Sequence, residues 1–268
     1  MIDVDDPLVK SRPALNPYRH GVGIILNRLK WDLRPESWAS RLKLSKWKDI
    51  HAGKKAIILC NGPSLLKVDF SLLENTFTFG LNKINLLFEK SEFRPSCIVA
   101  VNPLVIDQNA DFYNSTAIPL FLDKHALGKV ASRESVNYLH STSQSGFARD
   151  CSWSINQGHT VTYVAMQLAF HMGFKEVALV GCDHNFAVKG PANKTVVSGE
   201  RDESHFDPRY FAGGVQWQLP DLFESEVAYT RANNMYEAFG RRLVNATEGG
   251  KLDIFERVSL ADFLCGGN

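Results

Sequence analysis

The sequence predicts an α/β fold: a Rossmann-like, doubly wound, mostly parallel sheet with a long lid segment and an N-terminal helical extension. Three observations predict it. From Lys55 onward, short β-branched runs alternate with longer amphipathic stretches, the pattern of parallel strands joined by crossover helices. The runs "AIILC", "CIVAV" and "EVALVG" are apolar throughout, as strands covered by helices on both faces must be. Small polar residues then gather where these runs end, above all in "NGPS" after the first and "CDHN" after the fifth.

Strands are expected at about 56–60, 76–82, 97–101, 118–122, 176–181 and 243–246. The longest helix is expected between Leu222 and Leu243, with Ala228, Ala232, Met235 and Phe239 on one face. Asp221 caps it, with Glu224 as its capping-box partner. A second helix runs from Thr160 to Met172 and stops at Gly173, where a left-handed residue is expected. Between 185 and 220 the periodicity vanishes while Phe206, Tyr210, Phe211 and Trp217 remain. Disordered segments are poor in aromatics, so this stretch reads as a lid that orders over a ligand.

Residues 1–52 form the extension and 53–268 the nucleotide-binding domain. The extension carries ten of the chain's 30 Lys and Arg residues, from Lys10 to Lys48, with Trp31, Trp38 and Trp47 among them. Pro35 divides it into two short helices. Two readings stand here. Basic residues interleaved with tryptophan suit an anionic membrane surface, in the span 19–48. The other reading packs the helices on the domain through Ile25, Leu26, Leu29 and Leu33, and this stripe favours it.

Composition bounds the function. The 268 residues, 44% of them hydrophobic, suit one sizeable core with an appendage, and 30 basic against 29 acidic side chains give no global attraction to nucleic acid. Five cysteines with no Cys-x-x-Cys pair fit a reducing cytoplasm. No apolar run is long enough to span a bilayer, and the acidic start "MIDVDD" differs from a signal segment. A cytoplasmic protein is expected, at most peripheral on the inner face of the membrane. The oligomeric state is not set by any of these features.

In an open parallel sheet, ligands gather where the strands end. Asn61, Gly62, Pro63 and Ser64 follow the first strand, Asn82 the second, Asn102 the third, and Gly181, Asp183, His184 and Asn185 the fifth. Gly62 admits close backbone approach, Pro63 stiffens the turn, and Asn61 and Ser64 offer donors to phosphate or ribose. The helix start at Thr160 offers free N–H groups to an anion. Neither a Walker loop nor Gly-x-Gly-x-x-Gly is present.

Those residues carry a resemblance. "ILCNGPSL", "GLN", "VNP", "HMGFKEVALVGCD", "ESHF" and the closing "NATEGGKLDIFERVSLADFL" resemble the bacterial sialyltransferases that use CMP-activated sialic acid. More loosely, the chain resembles the broad domain family typified by 6-hydroxymethylpterin diphosphokinase. The resemblance implies a nucleotide-activated donor held by Asn61, Gly62, Ser64, Asn82, Asn102 and Thr160, a glycan or glycolipid acceptor, and no required metal or other cofactor. Two tyrosines that hold the leaving phosphate in the sialyltransferases are replaced here by Asn185 and the "GPAN" region. An ungapped alignment sets Arg209 on their catalytic histidine.

For glycosyl transfer, a histidine of ordinary pKa near 6.5 suits removal of a proton from the acceptor hydroxyl. His205, beside Asp207, is the first choice and His184 the second. Arg209, Arg201 and Lys194 are candidates for the leaving phosphate. The rival is Mg²⁺-dependent diphosphoryl transfer from ATP to a pterin-like alcohol, with Asp183, Asp202 and Asp207 as candidate ligands. A nucleotide-binding subunit without catalysis is the third reading.

Overall fold

The structure is a computed structural model that describes residues 16–185 and 190–266. The acidic start, Lys10, Arg12 and the stretch 186–189 of the expected lid lie outside those residues. The chain divides into two units, Met1–Ala39 and Ser40–Asn268.

The first unit holds helix α1, Pro17–Asp32, and the beginning of α2, Pro35–Trp47. Asn16 caps α1, its Oδ1 accepting from the N–H groups of Tyr18 and Arg19 at 3.1 Å each, and Pro35 opens α2 at the position where a missing N–H costs nothing. Trp31 is buried, but Ile25, Leu26, Leu29 and Leu33 are exposed. The stripe expected to pack is therefore exposed, and Trp31 is the buried residue of α1.

In the second unit, β1 (Lys55–Leu59), β2 (Phe77–Leu81) and β3 (Cys97–Ala100) are followed by α3 (Pro103–Gln108), α4 (Ala110–Ser115), β4 (Leu120–Asp123) and β5 (Val136–Leu139). The short strands β6 (Ser141–Thr142) and β7 (Ile155–Asn156) precede α5 (Val161–His171) and β8 (Glu176–Val180). A hairpin of β9 (Thr195–Val197) and β10 (Gln216–Gln218), then α6 (Leu222–Ala238), β11 (Arg242–Asn245), β12 (Glu256–Arg257) and α7 (Leu260–Cys265) complete the chain. Eight strands form one sheet in the order β12-β11-β8-β1-β2-β3-β4-β5, and every pairing in it is parallel. This is the doubly wound α/β arrangement the apolar runs predict. The chain fills the sheet from β1 to β5 on one side, then crosses back to place β8 on the other side of β1. The order reverses between β1 and β8.

Strands β1, β3, β4 and β8 are almost wholly buried, and α5 packs its Tyr163, Val164, Leu168 and Phe170 into the same core. Thr160 caps α5, and Gly173, at φ +91°, ends it. Helix α6 stops at Ala238, short of the expected Leu243, because Gly240 at φ +64° donates back to the Glu237 carbonyl while Arg241 donates to that of Tyr236. Phe239 consequently leaves the buried face, which Ser225, Ala228, Tyr229, Ala232 and Tyr236 make instead. Strands β5 and β12 and the β9–β10 hairpin went unpredicted: "VNYL" mixes a polar residue into a short edge run, and β12 is two residues long. No described helix is long and apolar enough to cross a membrane.

Candidate functional site

Where the strand order reverses, the loops leaving β1 and β8 remain hydrogen bonded beyond the sheet. Cys60 N–H donates to the Val180 carbonyl at 2.8 Å and Gly62 N–H to that of Gly181 at 2.9 Å. Ser64 then donates twice to one oxygen, Oδ2 of Asp183, from its N–H at 3.1 Å and its hydroxyl at 2.8 Å. A Cβ on Gly62 would stand 1.9 Å from that oxygen and 2.7 Å from the Gly181 carbonyl. The glycine thus makes room for the Asp183 carboxylate, while still lining the cavity as expected. Ser64 and Pro63 do not line the cavity beside them. Both donors of Ser64 are taken by Asp183, so its expected contact with phosphate or ribose is replaced by one with the protein. Pro63 opens the short 3₁₀ turn Pro63–Lys67 that aims those donors.

The cavity has a volume of about 510 Å³ and lies over the carboxyl ends of β1, β2, β3 and β8. Asn61, Gly62, Asn82, Asn102, Thr160, Gly181, Asp183, His184, Asn185 and His205 all line it. Asn61 is buried on its floor: its Nδ2 donates to the Leu81 carbonyl at 3.1 Å and to the Tyr210 hydroxyl at 3.0 Å, while its Oδ1, also buried, has no hydrogen-bond partner. Asn82 takes φ +48°, a conformation asparagine tolerates better than most side chains. Asn102 has a second duty, capping α3 through Leu104 N–H at 2.9 Å and donating to Gln218 Oε1 at 3.2 Å. At the start of α5, Gly158 and His159 both take positive φ, +54° and +58°, before Thr160 caps the helix. Gly158 packs so closely that a Cβ there would come within 2.3 Å of the Tyr163 ring.

The segment expected to be a lid is folded against this rim. Phe206 N–H donates to the Asn61 carbonyl at 2.9 Å, and the Lys83 ammonium donates to the Tyr210 carbonyl at 2.7 Å. His205 stacks on Tyr210, ring centroids 4.0 Å apart and planes within 1°, and its Nδ1 lies 2.7 Å from Asp202 Oδ2. The carboxylate that pairs with His205 is Asp202, rather than Asp207, its neighbour in the sequence. Burial raises the pKa of Asp202, but the His205 hydrogen bond and charge, with N–H donors from Ser204 and Phe211, bring it below the usual carboxylate value. Burial also lowers Lys83, to about 8, against a smaller opposing pull from Asp202. Phe211 stacks on Trp217 at 5.0 Å, and both rings line the cavity.

Arg209 does not reach the cavity. Its guanidinium is held by Asp207, Nε to Oδ1 at 3.0 Å, and by Glu89, Nη2 to Oε2 at 2.8 Å. Lys90 also pairs with Asp207 at 3.0 Å. Lys194 and Arg201 are likewise absent from the lining, so among the described residues the walls carry no lysine or arginine. His184 faces Glu226, Nε2 to Oε1 at 2.9 Å. The three carboxylates considered for Mg²⁺ are separately engaged, Asp183 with Ser64, Asp202 with His205 and Asp207 with Arg209. No group of three or more His, Cys, Asp or Glu among the described residues is placed to hold a metal ion.

Lys83, Asp221, His159 and Tyr229 escaped sequence reasoning. Lys83 follows Asn82 directly and so carried a positional signal. Asp221 was read only as a helix cap, which it is (to Glu224 N–H at 3.1 Å), but it also lines the cavity and lies 3.7 Å from His159.

No functionally curated protein matches the chain. Among solved structures, the MAf glycosyltransferase from Magnetospirillum magneticum AMB-1 is similar at 14% identity and a TM-score of 0.48, over 87% of this chain and 39% of that one. The chain spans well under half the length of that protein. A family model matches residues 37–189, more than half of the chain and all of the sheet from β1 to β8. The chain belongs to the 6-hydroxymethylpterin diphosphokinase MptE-like family.

Proposed function

We propose that this protein is a transferase that takes a nucleotide-activated donor into the cavity at the β1/β8 reversal and passes the activated group to a hydroxyl acceptor. The observation that carries the reading is the convergence of three strand-end asparagines, Asn61, Asn82 and Asn102, with the His205–Asp202 pair around one cavity. Neutral amides suit a nucleobase and ribose, whose edges mix donors and acceptors. The unpartnered Asn61 Oδ1 is an acceptor in need of a ligand N–H or O–H, since an unmatched buried acceptor costs roughly 1–3 kcal/mol.

In this reading Asp202 faces Nδ1 of His205 and fixes the ring, and the imidazole takes the acceptor's proton. The stack on Tyr210 keeps the imidazole from turning. Without lysine or arginine in the described walls, the departing phosphate is met by the N–H groups that open α5 and by His159 or His184. Glycosyl transfer from a CMP-sialic-acid-like donor, in surface glycan synthesis, is the form favoured by the sequence resemblance.

Diphosphoryl transfer from ATP to a pterin-like alcohol is the second form, favoured by family membership. It would bring Mg²⁺ with the nucleotide, and Asp183 and Asp221 are the cavity carboxylates that would face it. Calorimetric titration with CMP, UDP, GDP and ATP, each with and without Mg²⁺, tests the proposal. Binding of CMP indifferent to Mg²⁺ supports glycosyl transfer, and Mg²⁺-dependent binding of ATP supports the second form. Absence of binding by all four overturns the reading.

A further inference from the structure

Helix α1 turns an apolar stripe outward. At 100° per residue, Tyr18, Val22, Ile25, Leu26, Leu29 and Leu33 fall within an arc of about 100°. All six are open to solvent, from 48% at Leu29 to 85% at Tyr18, whereas Trp31, almost opposite on the wheel, is 3% exposed. Trp31 is thus the buried side of the helix, and the stripe is its exposed side. An exposed isolated leucine needs no explanation, but six apolar side chains in one continuous stripe do.

The charges around the stripe say what covers it. From Pro17 to Arg34 the cations are Arg19, Arg28, Lys30 and Arg34, and the one acid, Asp32, is already paired with Arg28 at 2.8 Å. Arg19 and Lys30 border the stripe along one edge. Two copies of α1 meeting antiparallel through this stripe would bring the Arg19 and Lys30 edges together, and Asp32, on the opposite edge, is already engaged by Arg28. An anionic lipid surface answers both Arg19 and Lys30. We propose that α1 is an interfacial anchor that lies in the plane of an anionic bilayer, its stripe in the acyl boundary and Arg19 and Lys30 on lipid phosphates.

Co-sedimentation of the full chain with vesicles tests it. The protein binds phosphatidylglycerol–phosphatidylcholine vesicles, binds phosphatidylcholine alone at least about tenfold more weakly, and loses binding as salt rises. Ile25→Asp with Leu29→Asp lowers the bound fraction about tenfold or more. Arg19→Gln and Lys30→Gln lower it by roughly fivefold each. The altered side chains are exposed, so unchanged circular dichroism and melting temperature show that these variants remain folded. Three results overturn the proposal: no binding to anionic vesicles, equal binding by the doubly substituted chain, or a dimer by light scattering that the double substitution dissolves.

Discussion

The Asp183 side chain occupies the place a Cβ of residue 62 would need, and Ser64 holds it there with two hydrogen bonds to a single oxygen. The two most distinctive motifs of the sequence, "NGPS" and "GCD", are therefore one physical object. It locks β1 to β8 at the point where the sheet reverses, and it sets the floor on which Asn61 stands. Gly62→Ala must drive the carboxylate off Ser64. The expected cost is roughly 2–4 kcal/mol, from overpacking plus the loss of hydrogen bonds to a charged group. Urea unfolding measures it. Asp183→Ala in the same chain removes the nearer of the two clashes and leaves that with the Gly181 carbonyl, so the combined loss is less than the sum of the two; fully additive losses would show that Gly62 matters for another reason.

Asn61 joins the floor to the lid through Tyr210, and its buried Oδ1 has no hydrogen-bond partner. Asn61→Ala removes both, and the dissociation constant for the nucleotide identified by titration rises about tenfold or more, the worth of one good buried hydrogen bond. Tyr210→Phe separates the two roles. It loosens the lid contact yet leaves Oδ1 in place, so its effect on affinity is the smaller one. An unchanged dissociation constant in Asn61→Ala would remove the asparagine from the binding site.

For His205, the proposed base, the prediction is a split between kinetic constants. His205→Ala lowers kcat by 10²–10⁴-fold, the range of general-base catalysis, while nucleotide affinity stays near that of the unaltered protein. Asp202→Asn keeps the shape of the pair but removes the charge that orients the ring, giving an intermediate loss of kcat. Equal losses of turnover and affinity in His205→Ala would assign the residue to binding.

The sheet was legible because burial on both faces writes itself as unbroken apolar runs, as in "AIILC" and "EVALVG". The rim was legible because a strand that ends at a ligand crevice ends in small polar residues. Which side chains face the cavity was not. Arg209 and His205 lie four residues apart in one polar stretch, and only the fold sends one to Asp207 and the other to Asp202. The outward stripe of α1 could not be told from a packing stripe, since both obey the same 3.6-residue period. Lys83 was missed for a different reason: lysines are seldom buried, and its place next to Asn82 was the one signal it gave.

Lys83 supplies the last prediction. It is buried beneath the lid, where it donates to the Tyr210 carbonyl and to Gln108 Oε1, each at 2.7 Å, and lies 5.0 Å from the centre of the Phe211 ring. Burial lowers its pKa to about 8 from an ordinary value near 10.5. Between those two values the unfolded chain holds a proton that the folded chain has released, so stability rises with pH across this window. Below about pH 8 both states are charged and the penalty is constant. The rise is on the order of 1–2 kcal/mol, less than the full worth of the pKa change because solvent screens a partly buried ammonium. Lys83→Met has no proton to release, so its urea midpoint between pH 8 and 10 climbs less than that of the unaltered protein, whatever its stability at pH 7. Parallel profiles for the two proteins would mean that Lys83 keeps an ordinary pKa, and that the ammonium under the lid is better solvated than its surroundings indicate.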